Sequence, residues 1–251
     1  MNNNRIASII EKKLQVVAGQ EQDLYVIGPV VLPVELDGET VVFQWYSWMS
    51  KDKNEEQLSS AEDLVKQLSR FRYADLQQSS VLVYGDFQGD AEALIRMHSI
   101  CHTGDIFGSE RCDCGFQLKQ SMRMIAEHGA GALFYLANHE GRGIGLFSKA
   151  MAYLLQEEGL DTVDANLELG FPDDSRDYSE AIAVLRMLRS APVALITNNP
   201  RKVEALKHAG MTISRRVPLW GKASIYNEKY LNTKVGRSGH YEAEQNTVLQ
   251  S

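Results

Sequence analysis

The cysteines of this chain have the residue type and spacing of a metal site. The sequence contains three, Cys101, Cys112 and Cys114, and all fall within fourteen residues. Thiolates are soft ligands that Zn²⁺ prefers, and three protein ligands leave a fourth position open for water. Zinc lowers the pKa of a bound water toward about 7, which makes that water a nucleophile at neutral pH. The spacing therefore favours a catalytic zinc site.

Two other interpretations of the cysteines stay open. They could be three buried free thiols, because the C-x-C step is tighter than the usual zinc-finger spacing. His98 or His102 could also supply a fourth ligand, which would close the site and make it structural. An odd number of cysteines so close together is a poor disulfide framework.

A glycine-rich segment, Glu140-Gly141-Arg142-Gly143-Ile144-Gly145-Leu146, lies between a predicted strand and a predicted helix. Alternate glycines let the backbone approach a ligand closely, and a helix N-terminus attracts phosphate. The arginine could bind a phosphate or a carboxylate in a bidentate manner. A tight turn carrying a surface arginine would have the same sequence, so both interpretations stay open.

A second basic segment, Thr197-Asn198-Asn199-Pro200-Arg201-Lys202, also lies between a predicted strand and a helix start. Ligands bind beyond the carboxyl ends of parallel strands. Cations in the first turn of a helix oppose its dipole, which costs stability unless an anion is bound. The segment therefore favours an anion site. Arg96, near the end of another predicted strand, could serve the same site or be a plain surface arginine.

The segment Asp173-Asp174-Ser175-Arg176-Asp177-Tyr178 is dense in charge. A solvated loop is the default interpretation of such a segment. The acids could instead hold Arg176 rigid, although a guanidinium with a pKa above about 12 is an unusual reactive group.

The composition is that of an ordinary globular protein. The chain has 251 residues, 44% of them hydrophobic, and a formal net charge of -7. These values exclude a disordered chain, a collagen-like chain and a coiled-coil rod. The acidic balance argues against broad binding of nucleic acid. Without an apolar run long enough for a membrane span or a signal peptide, we expect a cytoplasmic protein with no membrane partner.

Hydrophobic periodicity predicts an α/β (α+β layered) fold, with a mixed sheet flanked by helices. Up to residue 79 the pattern predicts an atypical N-terminal segment that begins with a helix over 1–20. Short strands are predicted at 24–27, 30–32 and 41–45, with a hairpin turn at Asp37-Gly38 between the last two. A loop over 50–58 and a capping box at 59–62 follow, and the capping box starts a helix that extends to Phe71. Over 80–240 it predicts strands at 80–84, 93–98, 131–136, 193–196 and 211–217, and helices at 117–127, 147–158, 178–188 with Asp177 as N-cap, and from Pro200 with Asn199 as N-cap. Residues 241–251 are predicted to be a polar tail.

Together these segments resemble the GTP cyclohydrolase II family, which opens the imidazole ring of GTP in riboflavin biosynthesis. The resemblance covers roughly residues 80–240, the predicted catalytic domain. It is carried by Arg96-Met97-His98-Ser99-Ile100-Cys101-His102-Thr103-Gly104-Asp105, Arg111-Cys112-Asp113-Cys114-Gly115-Phe116-Gln117-Leu118, the glycine-rich segment with Lys149 and Tyr153, Asp161-Thr162-Val163-Asp164-Ala165-Asn166, Gly170-Phe171, Asp174 to Tyr178, Thr197 to Lys202, Arg216-Val217-Pro218-Leu219 and Tyr230-Leu231-Asn232-Thr233-Lys234.

The resemblance implies a site and a reaction. Cys101, Cys112 and Cys114 would hold one catalytic Zn²⁺ per chain. Arg176 would attack the α-phosphate of GTP with Asp174 as proton acceptor, and Tyr153 would position the ring or the water. The substrate-binding residues would be Arg96, Gln117, Glu140, Arg142, Thr162, Thr197 and Lys202.

The implied products are formate, pyrophosphate and 2,5-diamino-6-ribosylamino-4(3H)-pyrimidinone 5′-phosphate. Mg²⁺ would accompany the triphosphate, and the assembly would be a homodimer. Two alternatives are a divergent paralogue that releases pyrophosphate with incomplete deformylation, and a non-catalytic nucleotide-binding regulator. The presence of all three cysteines together with Tyr153, Asp174 and Arg176 argues against the regulator.

Overall fold

The computed structural model describes residues 3–54, 58, 60–68 and 76–242. The strands in this part of the chain are β1 (Leu14–Val17), β2 (Gln22–Leu36), β3 (Glu39–Asp52), β4 (Ser80–Tyr84), β5 (Ala93–Ser99), β6 (Gly131–Leu136), β7 (Val193–Ile196) and β8 (Ile213–Val217). The helices are α1 (Asn3–Glu11), α2 (Ala61–Gln67), α3 (Cys114–His128), α4 (Leu146–Glu157), α5 (Thr162–Glu168), α6 (Ser179–Leu188), α7 (Pro200–His208) and α8 (Glu228–Gly236).

The eight strands form one sheet in the order β1-β2-β3-β4-β6-β5-β7-β8. Strands β1 to β4 pair in antiparallel fashion, and β4 also lies antiparallel to β6. The neighbours β6, β5, β7 and β8 are parallel. The predicted mixed sheet is therefore confirmed. The carboxyl ends of four parallel strands meet at one edge, which is where ligands bind in such sheets.

Helices cover both faces of the parallel strands. On one face Ile95 and Met97 of β5 pack in a core with residues of α6 and α7, among them Leu185 and Leu206. On the other face Leu94 belongs to a second core with Ile125 of α3 and with other strand residues. Successive residues of a strand point to opposite faces, so a strand that is buried on both sides has a continuous apolar run. This explains why β5, β6 and β7 were predicted so closely from the sequence.

The N-terminal strands are longer than predicted. Strands β2 and β3 form a hairpin whose two-residue turn is Asp37-Gly38, as predicted, and both residues have positive φ, 53° and 87°. The predicted break between 24–27 and 30–32 is wrong, because β2 continues past Pro29 with a shift in register. Strand β3 pairs with β4, so the strands of residues 1–79 and those of 80–240 lie in one sheet.

Other predicted boundaries in this region are also wrong. The helix predicted over 1–20 ends at Glu11, and Leu14–Val17 is a strand because its residues pair with β2. The predicted loop 50–58 starts later, since β3 runs to Asp52 in register with Gln22. Two helices, α5 and α8, were not predicted.

Helix caps show how local hydrogen bonds fix the boundaries. The N-cap of α2 is Ser60, whose side chain accepts from the backbone N–H of Asp63 at 3.1 Å, so the predicted capping box is displaced by one residue. Ser59, Phe71 and residues 243–251 of the predicted tail lie outside the described residues. The N-cap of α6 is Tyr178 rather than Asp177, although the carboxylate of Asp177 accepts from the N–H of Ser179 at 3.0 Å. The cap at Asn199 is as predicted.

Among the described residues, no helix is both long enough and apolar enough to cross a membrane.

A fully buried arginine holds the loops at the opposite end of the sheet. Arg189 follows α6 and is only 1% exposed. Its guanidinium donates to the backbone carbonyls of Phe87, Asp90, Ala191 and Pro192. No carboxylate in the described part of the chain accepts from it, and its hydrogen bonds there join these backbone carbonyls to one buried group.

Replacing this arginine should destabilise the fold. We expect Arg189→Met to lower the free energy of unfolding by about 2–4 kcal/mol, because each buried carbonyl left without a donor costs about 1–3 kcal/mol. Urea unfolding followed by circular dichroism measures the change. Arg186→Met, an exposed arginine of the same region, is the matched control. Equal stability of the two variants would contradict the structural role of Arg189.

Candidate active site

The three cysteines come together at the carboxyl edge of the parallel strands. Cys101 follows β5, while Cys112 and Cys114 lie just before and at the start of α3. The Sγ atoms of Cys101 and Cys112 are 3.6 Å apart, and all three sulfur atoms lie within 4.8 Å of one another. Four-coordinate zinc with Zn–S bonds of about 2.3 Å requires sulfur atoms roughly 3.8 Å apart. The donor set and its geometry therefore fit a zinc ion.

No histidine joins this cluster in the described part of the chain. The Nε2 atom of His98 instead lies 3.1 Å from the carboxylate of Asp105, which also accepts from the backbone N–H of Cys101. The ring of His102 packs edge-on against Phe107. The fourth position of a metal is thus left to water or substrate.

Gly104 allows the sulfur atoms to approach each other. A Cβ atom at this position would lie 3.0 Å from Sγ of Cys112 and 3.1 Å from Sγ of Cys101. Both distances are closer than normal carbon–sulfur contacts, so only glycine fits without displacing the ligands.

The thiols share negative charge unequally. Hydrogen bonds from Cys112 and Cys114 lower the pKa of Cys101, and the same coupling raises the pKa of Cys112 to about 11 and that of Cys114 as well. The ammonium Nζ of Lys149 lies 3.2 Å from Sγ of Cys101. In the metal-free protein, the cluster therefore favours a thiolate at Cys101. A bound dication displaces thiol protons.

Lys149 also connects the cysteine cluster to the glycine loop. Its Nζ donates to Oε1 of Glu140 at 2.6 Å, and Oε2 of Glu140 accepts from the backbone N–H of His102 at 2.7 Å. Burial by itself would lower the pKa of Lys149, but the negative charge of Cys101 and the hydrogen bond to Glu140 raise it. The lysine is therefore a fixed positive charge beside the sulfur atoms.

Tyr153 lies on the same face of α4 as Lys149, one helical turn further on. Its hydroxyl is 3.2 Å from Oγ1 of Thr103, whose oxygen is 3.7 Å from Sγ of Cys101. The guanidinium of Arg111 lies 4.2 Å above the ring. Burial raises the pKa of Tyr153, so the hydroxyl keeps its proton next to the cysteine cluster.

The glycine loop is a left-handed turn with its arginine directed inward. Gly141, Arg142 and Gly143 have φ values of 59°, 66° and 94°. A Cβ atom on Gly143 would lie 3.1 Å from Cβ of Ser175, so the glycine permits close packing against the charged loop. The guanidinium of Arg142 donates to Oγ of Ser238 at 3.0 Å, and burial lowers its pKa. The interpretation of Arg142 as a surface arginine is therefore wrong.

The charged loop after α5 is built around one ion pair. Nε and Nη2 of Arg176 donate to the two carboxylate oxygens of Asp174 at 2.8 and 2.6 Å. The third nitrogen, Nη1, makes a longer contact of 3.4 Å with Oγ of Ser99. Burial favours protonation of Asp174, but the hydrogen bonds from Arg176 outweigh it and hold the pKa of the carboxyl below its usual range. The loop is therefore rigid and half-buried rather than solvated.

Two more cations are buried beside this pair. Nη2 of Arg96 donates to Oε1 of Gln117 at 2.6 Å, and Nζ of Lys202 donates to the carbonyl of Met97 at 2.6 Å. Burial lowers the pKa of both cations, and neither has a carboxylate partner in the described part of the chain. Arg201 instead points outward to Asp173. Arg96 is thus not a plain surface arginine, and Lys202 rather than Arg201 is the cation that the second basic segment directs inward.

Two adjoining hollows connect these groups. The first hollow is lined by the cations Arg96, Arg176, Lys202 and Lys234, and the second by the cysteines, Glu140, Lys149 and Tyr153. Cys114 and Arg176 line both. Twelve of the thirteen predicted site residues line one or both hollows, namely Arg96, Cys101, Cys112, Cys114, Gln117, Glu140, Arg142, Tyr153, Thr162, Arg176, Thr197 and Lys202. The thirteenth, Asp174, holds Arg176.

Comparison with known proteins decides the family. A family model described as GTP cyclohydrolase II matches residues 53–218, about two thirds of the chain. The chain belongs to the GTP cyclohydrolase II family. The resemblance to that family is thereby confirmed. The eight-stranded mixed sheet with flanking helices is consistent with the family.

Curated relatives from bacteria are about half identical to this member of the family. The GTP cyclohydrolase-2 of Shewanella amazonensis is 50% identical over 169 residues, which cover 67% of this chain and 82% of that protein. The GTP cyclohydrolase-2 of Histophilus somni is 46% identical over 177 residues, covering 70% of this chain and 82% of the relative. The riboflavin biosynthesis protein RibBA of Salinispora tropica is 48% identical over 166 residues, covering 66% of this chain but only 42% of the relative. The chain thus spans less than half the length of that RibBA protein.

Several residues of the hollows were not predicted to be site residues. Lys149 carries a sequence signal, since it lies four residues before Tyr153 on a predicted helix and such positions share a face. Tyr230, Lys234 and His240 also line the hollows, and they come from α8 and the segment after it. Tyr230 and Lys234 belong to a segment that resembles the family, but α8 was not predicted, so these side chains were not assigned to the site.

His139 is a further buried group next to the site. Its Nε2 lies 2.7 Å from the carbonyl of Asp177 and its Nδ1 lies 3.2 Å from Oγ of Ser99. Burial lowers the pKa of His139 to about 4. The folded protein therefore keeps this ring neutral at pH values where the unfolded chain, with a histidine pKa near 6.5, takes up a proton.

This difference predicts acid sensitivity. The contribution of His139 is fully present above pH 6.5 and is lost as the pH falls toward 4, with a slope of up to about 1.4 kcal/mol per pH unit. We expect His139→Gln to reduce the slope of unfolding free energy against pH in this window, as measured by urea titrations at several pH values. His128→Gln, an exposed histidine, should leave the slope unchanged. An identical slope in both variants would rule out His139 as a source of acid sensitivity.

Proposed function

We propose that this protein is a zinc-dependent GTP cyclohydrolase that opens the guanine imidazole ring and releases formate and pyrophosphate. The observation that carries the proposal is the joining of two hollows, one lined by four cations and one by three thiols, at an arginine held by an aspartate. A triphosphate and a purine ring need these two environments side by side. The names of the GTP cyclohydrolase-2 relatives support the same substrate.

The metal would be held by Cys101, Cys112 and Cys114. When bound, zinc would supply a Lewis acid and lower the pKa of a coordinated water. The surrounding residues prepare the site for this charge, because Lys149 lies against Cys101 and offsets part of the negative charge of three thiolates. Tyr153, whose hydroxyl lies 3.2 Å from Oγ1 of Thr103, would orient the guanine ring or the water.

The triphosphate would occupy the first hollow. Arg96, Lys202 and Lys234 line it, and Thr197 and Gln117 add polar groups. Phosphate oxygens would be the anionic partners of Arg96 and Lys202, which have no carboxylate partner in the described part of the chain. Mg²⁺ would accompany the triphosphate, as it does in many nucleotide sites. Glu140, Arg142 and Thr162 line the second hollow, where we place the nucleoside.

Arg176 is proposed to displace pyrophosphate from the α-phosphorus. Asp174 holds Nε and Nη2, so Nη1 is the nitrogen left to face the hollow. A guanidinium is not a nucleophile until it loses a proton. Transfer of the Nη2 proton to Asp174 would return electron density to Nη1 through the conjugated guanidine. The hydrogen bond of 2.6 Å is within reach of that transfer.

One observation favours the alternative of incomplete deformylation. Ile100 lines the second hollow next to Cys101 and supplies no group for proton transfer. Incubation with GTP and Mg²⁺, followed by mass spectrometry of the product and assays for formate and pyrophosphate, distinguishes the alternatives. Ring-opened product with stoichiometric formate supports the main proposal. A retained formyl group supports the divergent paralogue, and intact GTP after incubation would leave only a nucleotide-binding regulator.

The assembly is proposed to be a homodimer in the cytoplasm. Exposed apolar side chains flank the site on the turn after Cys101 and on helices α3 and α4, namely Ile106, Phe107, Phe116, Phe147 and Leu154. Clusters of such residues are typical of subunit interfaces.

Loss of one cysteine should abolish both the metal site and ring opening. We expect Cys112→Ser to contain less than about a tenth of the zinc of the unaltered protein, since removing a ligand weakens binding by several kcal/mol. Elemental analysis and formate release measure the two effects. Glu110→Gln, an exposed change in the same loop, is the control. Full zinc content together with full formate release in Cys112→Ser would remove the cysteines from the mechanism.

Replacing Arg176 should reduce the release of pyrophosphate. We expect Arg176→Ala to reduce pyrophosphate release by at least about 10³-fold while zinc content stays normal, because the nucleophile is lost and the thiols are untouched. A coupled pyrophosphate assay measures the rate. Arg215→Ala, which removes an exposed arginine paired with Glu92, should behave as the unaltered protein does. Undiminished pyrophosphate release in Arg176→Ala would exclude a covalent role.

A further inference from the structure

A segment beyond the family match closes the site. Residues 228–242, here named the C-terminal strap, follow the matched residues 53–218 and comprise α8 and the chain after it. Three of its side chains, Tyr230, Lys234 and His240, line both hollows. Tyr230 and Lys234 belong to a segment that resembles the family, but no role in the site was predicted for any of the three. The strap is therefore the place to look for unassigned substrate contacts.

The strap is attached on four sides of the site, so its position is well determined. The attachments are Nζ of Lys234 to Oδ1 of Asp113 at 2.6 Å, Arg237 to Asp161 and Asp164 at 2.9 Å each, Oγ of Ser238 to Nη2 of Arg142 at 3.0 Å, and the N–H of Tyr241 to the carbonyl of Asn198 at 2.9 Å. The ring of Tyr241 also lies under the guanidinium of Arg216 at 4.6 Å. These contacts reach α3, α5, the glycine loop and the loop after β7.

The imidazole of His240 has a defined orientation within the strap. Its Nδ1 lies 3.1 Å from the carbonyl of Lys234, which also accepts the backbone N–H of His240 at 3.0 Å. A carbonyl only accepts hydrogen bonds, so Nδ1 carries a hydrogen. The other nitrogen, Nε2, has no hydrogen-bond partner among the residues that the structure describes. One ring nitrogen is thus fixed by the protein, and the other is left for a ligand.

The charges around this ring are predominantly positive. Burial, followed by the charges of Lys234, Lys202, Arg176 and Arg142, lowers the pKa of His240 to about 3. The charged and titratable groups that line the hollows from the other elements are Arg96, His98, Cys101, Arg111, Cys112, Cys114, His139, Glu140, Arg142, Lys149, Tyr153, Arg176 and Lys202, while Tyr230 and Lys234 belong to the strap itself. An anion with several charges would reverse the potential at the ring. The neutral imidazole would then gain a proton and become a donor.

We propose that His240 is a substrate-binding residue that takes up a proton as the triphosphate enters and donates from Nε2 to a phosphate oxygen. Its position where the two hollows meet, shared with Arg176, places that contact near the phosphate that carries the nucleoside. The identity of the anion rests on the proposed function, whereas the contact itself depends only on a polyphosphate in the first hollow.

Calorimetric titration of the zinc-loaded protein with inorganic tripolyphosphate and Mg²⁺ tests the contact without any turnover. Titrations at pH 7 in buffers of different ionisation enthalpy give both the affinity and the number of protons taken up. For the unaltered protein we expect uptake of up to about one proton. For His240→Ala we expect affinity to fall roughly 10- to 100-fold, the effect of losing a hydrogen bond to a charged group, together with loss of the proton uptake.

A conservative variant separates binding from folding. The amide of His240→Gln can donate to a phosphate oxygen without taking up a proton, so affinity should recover to within a few-fold of the unaltered protein while proton uptake stays absent. Zinc content and melting temperature check that the strap variants fold, and His128→Ala is the control for an exposed histidine.

The possible results differ for this contact and for the proposed function. Tripolyphosphate affinity and proton uptake that are unchanged in His240→Ala would overturn the contact. A protein that binds tripolyphosphate through His240 but leaves GTP intact would keep the contact and refute the cyclohydrolase activity.

Discussion

The burial of positive charge at one edge of the sheet is the constraint on which the rest of the site depends. Arg96, Arg142, Arg176, Lys202 and Lys234 all lie at the hollows, where desolvation opposes their charged forms. Among the described residues, two of the five have a carboxylate partner, Arg176 with Asp174 and Lys234 with Asp113. Arg96 and Lys202 are held by neutral acceptors, an amide oxygen and a carbonyl. A polyanion would supply the missing charge, so binding and stability are linked here.

The glycine loop, which carries Arg142, is hydrogen-bonded to the residues that carry the thiols, which makes the two halves of the site one unit. Glu140 accepts from Lys149 and from the backbone of His102, so the glycine loop and the cysteine loop move together. Helix α3 contributes Cys114 to both hollows and Gln117 to the first, three residues apart on one helical face. A shift of either loop would therefore alter the phosphate contacts and the sulfur geometry at once. Such coupling favours a preorganised site.

Much of the fold followed from the sequence where a single physical rule dominated. Strands β5 to β7 are buried on both faces and have continuous apolar runs, and Asn199-Pro200 is an unambiguous helix start. The predictions failed where strand pairing overrode local signals. Strand β2 continues past Pro29 with a change of register. Leu14–Val17, predicted to be helical, is a strand because it pairs with β2. Residues such as Lys234 and His240 could not be predicted, because their role depends on the path of α8 across the site.

The net charge of the chain is a poor guide to its ligand, and the structure gives the physical reason. The formal charge of -7 disfavours broad binding of nucleic acid, yet seven lysine and arginine side chains line one pair of hollows. Charges separated by more than about 10 Å in water are largely screened at ordinary salt concentrations. A ligand inside the hollows therefore responds to the buried cations next to it rather than to acids on the outer surface. Exposed pairs such as Arg215 with Glu92 contribute little to that local field. The small, strongly anionic ligand that the cavity favours is thus compatible with an acidic protein.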